Sequence, residues 1–229
     1  MTGPRVLVID DEPQIHRFLR PALEAAGYGV ERADTAAEGL RLAASRAPDA
    51  VLLDLGLPDM DGQDALIRLR AFSAVPVIVL SARDRETEKI AALDAGADDY
   101  VEKPFGVGEL LARIRAALRH ARAQGGTPEL FRANGIEVDL ARRIVTAADV
   151  PVQLSPREFK LLSLLVHNAG RVMTHRQLLT AAWGPAHADD VQYLRVYIGH
   201  LRQKLGPAAL RLIATEPGIG YRLLDAETS

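Results

Sequence analysis

The 229-residue sequence predicts an α/β fold, namely a doubly wound, five-stranded parallel sheet followed by a smaller winged helix-turn-helix domain. In the first half of the chain, short apolar runs alternate with segments of helical periodicity, which is typical of a parallel sheet covered by helices on both faces. In the second half, short strand-like pieces precede three helical segments and a final Gly-rich hairpin. These patterns predict two domains of different architecture.

The composition is typical of a soluble globular protein, with 48% apolar residues, 25% charged residues and a net charge of −2. No apolar run is long enough to span a bilayer, the N-terminal stretch lacks a signal-peptide pattern, and there is no cysteine for a disulfide. We therefore expect a cytoplasmic protein without membrane insertion. Residues 1–121 carry a net charge of −5 and residues 122–229 a net charge of +3, so the basic half is the candidate for nucleic-acid binding.

Five apolar runs predict the strands of the parallel sheet. They are residues 5–9, 29–33, 50–55, 75–80 and 99–103. Helical segments follow them at residues 13–26, 35–47, 62–71, 84–94 and 106–121. Five β–α units of this size predict a doubly wound domain that covers residues 1–121.

Residues 122–129, RAQGGTPE, contain two glycines and a proline and predict a linker. The second domain, residues 130–229, follows a different pattern. Its first pieces, IEVDL, RIVTA and VPVQL, suggest a small antiparallel sheet.

Helix signals follow that sheet. Ser155 as N-cap, Pro156 at the first helical position and Glu158 at the third predict a helix over SPREFKLLSLLVHNAG. A second helix is predicted to start at Thr174, and a third covers residues 189–205. Two strands around the turn in LIATEPGIGYRLL complete a winged helix-turn-helix pattern.

Polar side chains stand where the predicted strands of the first domain end: Asp10 and Asp11, Asp54, Ser81, and Lys103. Ligands of an open parallel sheet collect at that edge. Three carboxylates suit Mg²⁺, which would explain why two like charges directly follow a buried strand. Asp54 could then act as a nucleophile toward a phosphoryl group, with Mg²⁺ and Lys103 offsetting the charge of the transferred oxygens and Ser81 bonding one of them.

Each of these residues also has a simpler interpretation when it is taken alone. Asp54 and Ser81 could be helix caps, and Lys103 could be a solvated lysine. Their joint occurrence at one sheet edge favours the phosphoryl-transfer site.

The first predicted domain resembles the receiver domain of bacterial response regulators, in the motifs VIDDE, LLDLGLPDMDG, VIVLSA and GADDYVEKPF. The resemblance implies that a sensor histidine kinase phosphorylates Asp54. The implied Mg²⁺ ligands are Asp10, Asp11, Asp54 and the backbone carbonyl of Gly56. Ser81 and Lys103 would contact the phosphoryl group, Tyr100 would be the switch aromatic that turns inward when Ser81 moves, and the bond before Pro104 would be cis.

The same resemblance implies a two-fold dimer after phosphorylation, formed by the fourth helix, the fifth strand and the fifth helix. The residues expected in that interface are Lys89, Asp98, Asp99, Glu109, Arg113 and Arg119. Lys89 is expected to pair with Glu109, and the two aspartates with the two arginines. The alternative is that these residues form exposed charge pairs worth about 0–1 kcal/mol each.

The helix predicted at residues 189–205 is the candidate DNA reader. Its apolar residues form one stripe: Val191, Leu194, Ile198, Leu201 and Leu205. Cations and hydrogen-bonding aromatics lie off the stripe, which suits the major groove, although a solvated charged face would have the same pattern. The candidate DNA contacts are Tyr193, Arg195, Tyr197, His200, Arg202 and Lys204 on this helix, Thr174 at the start of the preceding one, and Thr215, Tyr221 and Arg222 in the hairpin.

The second domain resembles the winged-helix effector domain of the OmpR/PhoB class, in LSPREFKLLSLLVHNAGRVMTHRQLL, VYIGHLRQKL and GIGYR. Within that class, GHLRQKL and KPFGVGEL resemble the regulators of a potassium-uptake operon. The resemblance implies a phosphorylation-switched transcription regulator that binds repeated promoter half-sites. Residues 183–190 would contact RNA polymerase.

Two rival functions stay open. The first is a DNA-binding regulator that acts independently of phosphorylation. The second is an aspartyl-phosphate phosphatase, in which Asp54 would turn over a substrate. Such enzymes usually carry a second acid two residues after the nucleophile, whereas this sequence has Leu55 and Gly56 there, so we do not expect an enzyme.

Overall fold

The computed structural model describes residues 3–82, 86–123 and 130–224. The chain divides into two compact units, residues 1–122 and 123–229. Most of the predicted linker, residues 124–129, lies outside the described part of the chain. None of the described helices combines the length and the apolar character that a membrane crossing requires.

The first unit is a five-stranded parallel sheet with the strand order β2-β1-β3-β4-β5, so the predicted α/β fold is confirmed. Its strands are β1 (Arg5–Ile9), β2 (Gly29–Ala33), β3 (Ala50–Asp54), β4 (Val77–Ala82) and β5 (Asp99–Lys103). Its helices are α1 (Pro13–Ala25), α2 (Ala36–Arg46), α3 (Gly62–Arg70), α4 (Glu86–Asp94) and α5 (Val107–Ala123). The predicted cis peptide bond is present between Lys103 and Pro104.

The register of the central strands brings the candidate site together. Ile9 pairs with Leu53, and Asp54 pairs with Leu80, so the residues after β1, at the end of β3 and near the end of β4 are neighbours. The central strand β3 is buried along its whole length. Fully burying a leucine such as Leu53 contributes about 1.5–3 kcal/mol, which fixes this strand, and with it Asp54, in one position.

A second anchor holds the loop between β3 and α3. Asp59 accepts hydrogen bonds from the backbone N–H groups of Ala36 (2.8 Å) and Ala37 (2.9 Å) at the start of α2. Both bonds lower the pKa of Asp59, and the bond from Ala37 has the larger effect on it. Because both oxygens are engaged, Asp59 fixes the loop that follows Asp54 against the neighbouring helix.

The second unit contains two antiparallel sheets and four α-helices within residues 130–224. The first sheet consists of β6 (Leu130–Ala133), β7 (Ile136–Asp139), β8 (Ile144–Ala147) and β9 (Val150–Pro151). The helices are α6 (Pro156–His167), α7 (His175–Trp183), α8 (Val191–Leu205) and α9 (Pro207–Leu212). The second sheet, with the order β10-β12-β11, consists of β10 (Val172–Thr174), β11 (Ile213–Glu216) and β12 (Gly220–Leu223).

The predicted cap at Ser155 is confirmed, and a second cap is present at Thr174. Ser155 accepts from the backbone of Glu158, whose side chain accepts from the backbone of Ser155, and these two bonds form a capping box. Thr174 caps α7 in the same way with Gln177. The predicted stripe of α8 packs into the core, where Leu194, Ile198, Leu201 and Leu205 are buried and Val191 is partly buried.

The sequence analysis missed β6, β10 and α9. Each is short, from three to six residues, so none offers a clear periodicity. The predicted strand VPVQL is shorter than expected, since only Val150 and Pro151 form strand pairs with β8. One more bond follows, from the backbone N–H of Val152 to the carbonyl of Val145 at 2.8 Å.

Candidate functional site

The ammonium group of Lys103 joins three carboxylates at the carboxyl ends of β1 and β3. Its Nζ atom lies 2.9 Å from Asp10 Oδ2, 2.6 Å from Asp54 Oδ1 and 2.9 Å from Glu12 Oε1. Burial lowers the pKa of Lys103, but its hydrogen bonds to Asp54, Asp10 and Glu12 outweigh that effect, and the pKa is raised above its usual value. The structure therefore brings together three of the predicted site residues, together with Glu12, which was not predicted.

Asp10 is fully buried behind this ammonium group. Its Oδ1 atom accepts from the backbone N–H of Glu12 at 2.8 Å, and its backbone carbonyl lies 2.6 Å from Nε2 of the buried His16. Burial raises the pKa of Asp10, and the bonds from Lys103 and Glu12 offset only part of that effect. A buried carboxylate that is incompletely compensated favours the binding of a further cation.

Both carboxylate oxygens of Asp54 accept hydrogen bonds, Oδ1 from Lys103 and Oδ2 from the backbone of the loop that follows β3. Its Oδ2 atom accepts from the backbone N–H of Gly56 at 2.6 Å, and only 8% of the residue is exposed. A Cβ at position 56 would lie 3.1 Å from that oxygen, so a side chain there would crowd the carboxylate. At Gly62 a Cβ would overlap the backbone of Leu55. The two glycines let the loop after β3 run close to the carboxylate of Asp54.

Ser81 supplies a buried hydroxyl that has no hydrogen-bond partner among the described residues. It follows Leu80, which pairs with Asp54, so it stands on the strand next to the acid. Buried hydroxyl groups are normally satisfied, because an unpaired one costs about 1–3 kcal/mol. This unpaired oxygen is chemically suited to donate to an incoming anion.

The oxygen donors at this edge fit Mg²⁺. No three His, Asp or Glu side chains form a complete metal cage within residues 3–82, 86–123 and 130–224. Mg²⁺ keeps several water ligands and commonly takes one or two carboxylates from the protein, so Asp10 and Asp54 are sufficient. Asp11 is exposed beside Asp10, and Gly56 lies in the loop held against Asp54.

Tyr100, the predicted switch residue, is buried on β5. Its ring centroid lies 5.4 Å from Nζ of Lys89 and 6.0 Å from the guanidinium carbon of Arg113. Both distances allow cation–π attraction. The ring is therefore already buried within reach of two cations of the predicted dimer surface, whereas the resemblance implied that it turns inward when Ser81 moves.

The charged residues predicted to pair between two chains also pair within one chain. Lys89 is only 3% exposed and donates to Glu102 Oε1 at 2.5 Å, instead of to Glu109. Arg113 donates to both carboxylate oxygens of Asp99 at 3.0 Å and to Glu109 at 2.8 Å. The alternative of intrachain charge pairs thus describes the arrangement in a single chain.

Asp98 differs from its expected role most clearly. It accepts from Arg70 at 2.8 Å and from the backbone N–H of Val77 at 2.8 Å, so it ties α3 to the start of β4. Arg119 is half-buried on α5. In a single chain Asp98 therefore holds α3 against β4, and its part in an interface stays a prediction.

In the second unit, the exposed face of α8 carries an aromatic cluster. The rings of Trp183, Tyr193 and Tyr197 stand edge-to-face, with centroids 5.0–5.5 Å apart. The hydroxyl groups of the two tyrosines lie 3.2 Å apart. The cluster fixes the start of α8 against the end of α7, and Arg195 is exposed on the same helix.

Glu158 links the capping box of α6 to the far end of α8. Its Oε2 atom accepts from Nζ of Lys204 at 2.7 Å, and its Oε1 atom lies 3.8 Å from Nδ1 of His200. Only about 5% of the Glu158 side chain is exposed. Two of the predicted DNA contacts thus share one buried carboxylate.

Several other predicted DNA contacts point inward. Tyr221 and Arg222 are buried on β12, and Arg222 donates to Glu216 and to the carbonyl of Gly170, each at 2.8 Å. Burial raises the pKa of Tyr221. The prediction that these two side chains reach DNA does not fit their burial, since all four residues of β12 are buried.

Thr174 and Arg202 are also engaged inside the unit. The hydroxyl of Thr174 is buried as the cap of α7. Arg202 donates from Nη2 to the carbonyl of Ile213 at 2.6 Å and to the hydroxyl of Thr215 at 2.8 Å. Arg202 therefore connects α8 to the terminal hairpin, and Thr215 is exposed at the edge of that hairpin.

Three acids that pair with lysines were not predicted as partners from the sequence: Glu12, Glu102 and Glu158. Glu158 was predicted only as part of the helix start at Ser155. Glu12 adjoins the two predicted metal ligands, which was an available signal. The other two acids are far in the sequence from the cations that they pair with. The residue pattern of a single strand or helix does not predict an ion pair between residues that are distant in the sequence.

Comparison with known proteins agrees with this geometry. The protein-family model named response regulator receiver domain matches residues 6–115. A second family model, named transcriptional regulatory protein, C terminal, matches residues 149–223. The KDP operon transcriptional regulatory protein KdpE of Escherichia coli (strain K12) is 54% identical over 221 residues, which cover 96% of this chain and 98% of that protein. The transcriptional regulatory protein KdpE of Mycobacterium tuberculosis (strain CDC 1551 / Oshkosh) is 49% identical, over 95% and 97% of the two chains.

Among solved structures, the receiver domain of the Francisella response regulator 1452 is 35% identical, with a TM-score of 0.50. The match covers 52% of this chain and 99% of that one. The chain therefore belongs to the OmpR/PhoB-type response regulators, in which a receiver domain is joined to a DNA-binding domain that regulates transcription.

Proposed function

We propose that a sensor histidine kinase phosphorylates Asp54 in the presence of Mg²⁺, and that this phosphorylation controls dimerisation and promoter binding. The observation that carries the proposal is the position of Lys103, whose ammonium group joins Asp54 to the buried Asp10. A nucleophilic carboxylate next to a fixed cation is suited to receive a phosphoryl group, because the cation offsets the added charge.

The proposed transfer moves the phosphoryl group from a histidine of the kinase to Asp54. An oxygen of the Asp54 carboxylate attacks the phosphorus of a phosphohistidine on the kinase. The bond between phosphorus and the imidazole nitrogen breaks with its electron pair on nitrogen, which takes a proton from solvent. The product is an acyl phosphate on Asp54 and a neutral histidine on the kinase.

Each residue of the site has a role in this proposal. Asp10, Asp11, Asp54 and the carbonyl of Gly56 would hold Mg²⁺. When bound, Mg²⁺ supplies positive charge that stabilises the oxygens of the transferred group. Lys103 binds one of these oxygens and keeps the group oriented. The unpaired hydroxyl of Ser81 donates to another, which gives that buried group its missing partner.

The same hydroxyl would connect the site to the dimer surface. Ser81 lies on β4, which pairs with β5, the strand that carries Tyr100. A shift of Ser81 toward the phosphoryl group would leave space that changes the packing of Tyr100 and of the cations beside it. Two copies would then join through the surface of α4, β5 and α5, and linked binding to repeated half-sites would strengthen DNA affinity.

The names of the relatives suggest the target and the setting. Two of them are named KdpE, and one of these names specifies the KDP operon. We propose that this chain regulates a potassium-uptake operon in the cytoplasm. RNA polymerase would contact the loop at residues 183–190, next to the aromatic cluster of Trp183, Tyr193 and Tyr197.

The test compares the parent with Asp54→Asn and with Asp64→Asn, which removes the same charge from an exposed position on α3. We expect acetyl phosphate to label the parent and Asp64→Asn, and to leave Asp54→Asn unlabelled. Beryllofluoride, which mimics the phosphoryl group, should raise the affinity of the parent for kdp promoter DNA. Labelling of Asp54→Asn would place the acceptor elsewhere.

Two other results would favour the rival functions. If Asp54→Asn binds promoter DNA and activates transcription as the parent does, the regulator acts independently of phosphorylation. If the protein turns over a phosphomonoester repeatedly, it is a phosphatase.

A further inference from the structure

We propose that Glu12 competes with the phosphoryl group of Asp54 for Lys103, and so shortens the time for which the protein stays phosphorylated. The inference rests on the proposed phosphorylation of Asp54. Glu12 lies directly after the two predicted metal ligands, and it is neither a predicted metal ligand nor the phosphate acceptor. Its role follows from the bonds of Lys103.

An ammonium group has three N–H donors. In this structure three acceptors surround Lys103 Nζ, namely Asp10 Oδ2, Asp54 Oδ1 and Glu12 Oε1. All donor capacity is therefore in use before any phosphoryl group arrives. When Asp54 is phosphorylated, the N–H now directed at Asp54 can donate to a phosphoryl oxygen. A second hydrogen bond from Lys103 to the phosphoryl group requires that Lys103 release either Asp10 or Glu12.

The two remaining carboxylates differ in what their release would cost. Asp10 is fully buried, so loss of its partner would leave an uncompensated charge away from water. The side chain of Glu12 is 55% exposed, so water can solvate it when Lys103 leaves. Glu12 is thus the partner that Lys103 can exchange. While Lys103 is bonded to Glu12, it makes fewer hydrogen bonds to the phosphoryl group.

Charge acts in the same direction. Glu12 and Asp54 both lie within hydrogen-bond distance of one nitrogen atom, so their carboxylates are close neighbours. A phosphoryl group adds negative charge to Asp54, and the nearby Glu12 repels it. Because Glu12 is more than half exposed, solvent screens this repulsion, and we expect a modest effect.

The side chain of Glu12 can be changed without disturbing the helix that follows it. Glu12 is the N-cap residue of α1, but its side chain makes no capping bond. Its backbone carbonyl accepts from Ile15 and His16 regardless of the side chain. Glu12→Gln keeps the size of the side chain and removes the charge.

The experiment uses full-length protein with saturating Mg²⁺ and compares the parent, Glu12→Gln, Glu12→Asp and Glu24→Gln. Glu24 lies on the exposed face of α1, so Glu24→Gln is a control for the same change in net charge. Two quantities are measured: the half-life of the phosphoryl label after excess acetyl phosphate is removed, and the dissociation constant for beryllofluoride.

We expect Glu12→Gln to lengthen the half-life about fivefold and to bind beryllofluoride about fivefold more tightly, while Glu24→Gln matches the parent. Glu12→Asp retains the charge but is one methylene shorter, which weakens its contact with Lys103, so its half-life should lie between those of the parent and Glu12→Gln. An unchanged or shorter half-life for Glu12→Gln would overturn the competition. A half-life of Glu12→Asp shorter than that of the parent would also overturn it, because weaker contact with Lys103 would then not prolong the phosphorylated state. If the parent accepts no label, the proposed function itself fails, and the two failures can be told apart.

Discussion

The ammonium group of Lys204 lies 2.7 Å from Oε2 of Glu158, and this contact joins α8 to the capping box that begins α6. Lys204 was predicted to bind DNA, and His200 lies beside the same carboxylate. The contact adds a polar link at the end of α8 to the core packing of Leu194, Ile198, Leu201 and Leu205. Its contribution can be measured separately from DNA binding.

Lys204→Met should lower the free energy of unfolding of the second unit by about 1–2 kcal/mol, because Glu158 then loses a charged partner while it stays buried. Trp183 is the only tryptophan of the chain, so its fluorescence reports the unfolding of this unit in the full-length protein. Lys160→Met, at an exposed position of α6, is the control. Equal losses in the two variants would show that the pair contributes nothing.

The pair also predicts a pH dependence. Burial raises the pKa of Glu158, but the bonds from Lys204 and Ser155 outweigh burial, and the pKa falls below 4.5. Because the folded-state pKa is depressed, the stabilisation is present above pH 4.5 and is lost as the pH falls through the folded-state value. Acid titration of Trp183 fluorescence should show this loss in the parent. Glu158→Gln should abolish that part of the pH dependence.

Asp10→Asn should stabilise the first unit at pH 7 in the presence of EDTA. Burial raises the pKa of Asp10 above 3.8, so its favourable contribution is present below pH 3.8 and is lost as the pH rises through the folded-state value. At neutral pH the ionised carboxylate therefore costs stability, and its removal should raise the free energy of unfolding by about 1 kcal/mol. Calorimetry checks the prediction. A loss of stability would mean that the ion pair with Lys103 outweighs burial.

Arg195 and Arg202 should affect DNA binding in different ways. Arg195 is exposed, so Arg195→Ala should weaken binding and reduce the slope of log affinity against log salt by about 1 if Arg195 contacts phosphate. Arg202 is bonded to Ile213 and Thr215, so Arg202→Ala should weaken binding through the position of the hairpin and leave the slope unchanged. Fluorescence anisotropy over a salt series measures both. A reduced slope in Arg202→Ala would return this residue to the DNA surface.

Glu102→Gln should promote dimerisation. Lys89 is buried against Glu102 in a single chain, so it can reach Glu109 of a second copy only after it leaves that acid. Removal of the competing charge should raise the association constant of the beryllofluoride-bound protein by about fivefold. Sedimentation equilibrium measures the constant, with Glu24→Gln as the control for net charge. An unchanged constant would indicate that Lys89 takes no part in the interface.

The grouping of Asp10, Asp54 and Lys103 was predictable because strand ends are a strong topological constraint. Asp10, Asp54 and Lys103 follow three apolar runs, and parallel strands in one sheet must end at the same edge. No knowledge of side-chain contacts was needed to place them together. The contact of Glu12 with Lys103 was not predicted. The sequence does not distinguish a solvated acid from a partner of Lys103, because the difference depends on a contact in three dimensions.

The burial of two hairpin residues was not predictable for a related reason. Tyr221 and Arg222 were predicted as DNA contacts because the terminal hairpin of a winged helix can offer polar side chains to DNA. All four residues of β12 are buried, and the guanidinium of Arg222 is bonded within the second unit. Both properties depend on contacts in three dimensions that the sequence of the hairpin does not contain.

The solitary hydroxyl of Ser81 has an energetic consequence for signalling. A buried oxygen without a partner raises the energy of the unmodified conformation by about 1–3 kcal/mol relative to one in which it is satisfied. In the unmodified protein this oxygen has no partner among the described residues, and a phosphoryl group on Asp54, as proposed above, would give it one. The new hydrogen bond would then favour the phosphorylated conformation by the difference that it makes between the two states.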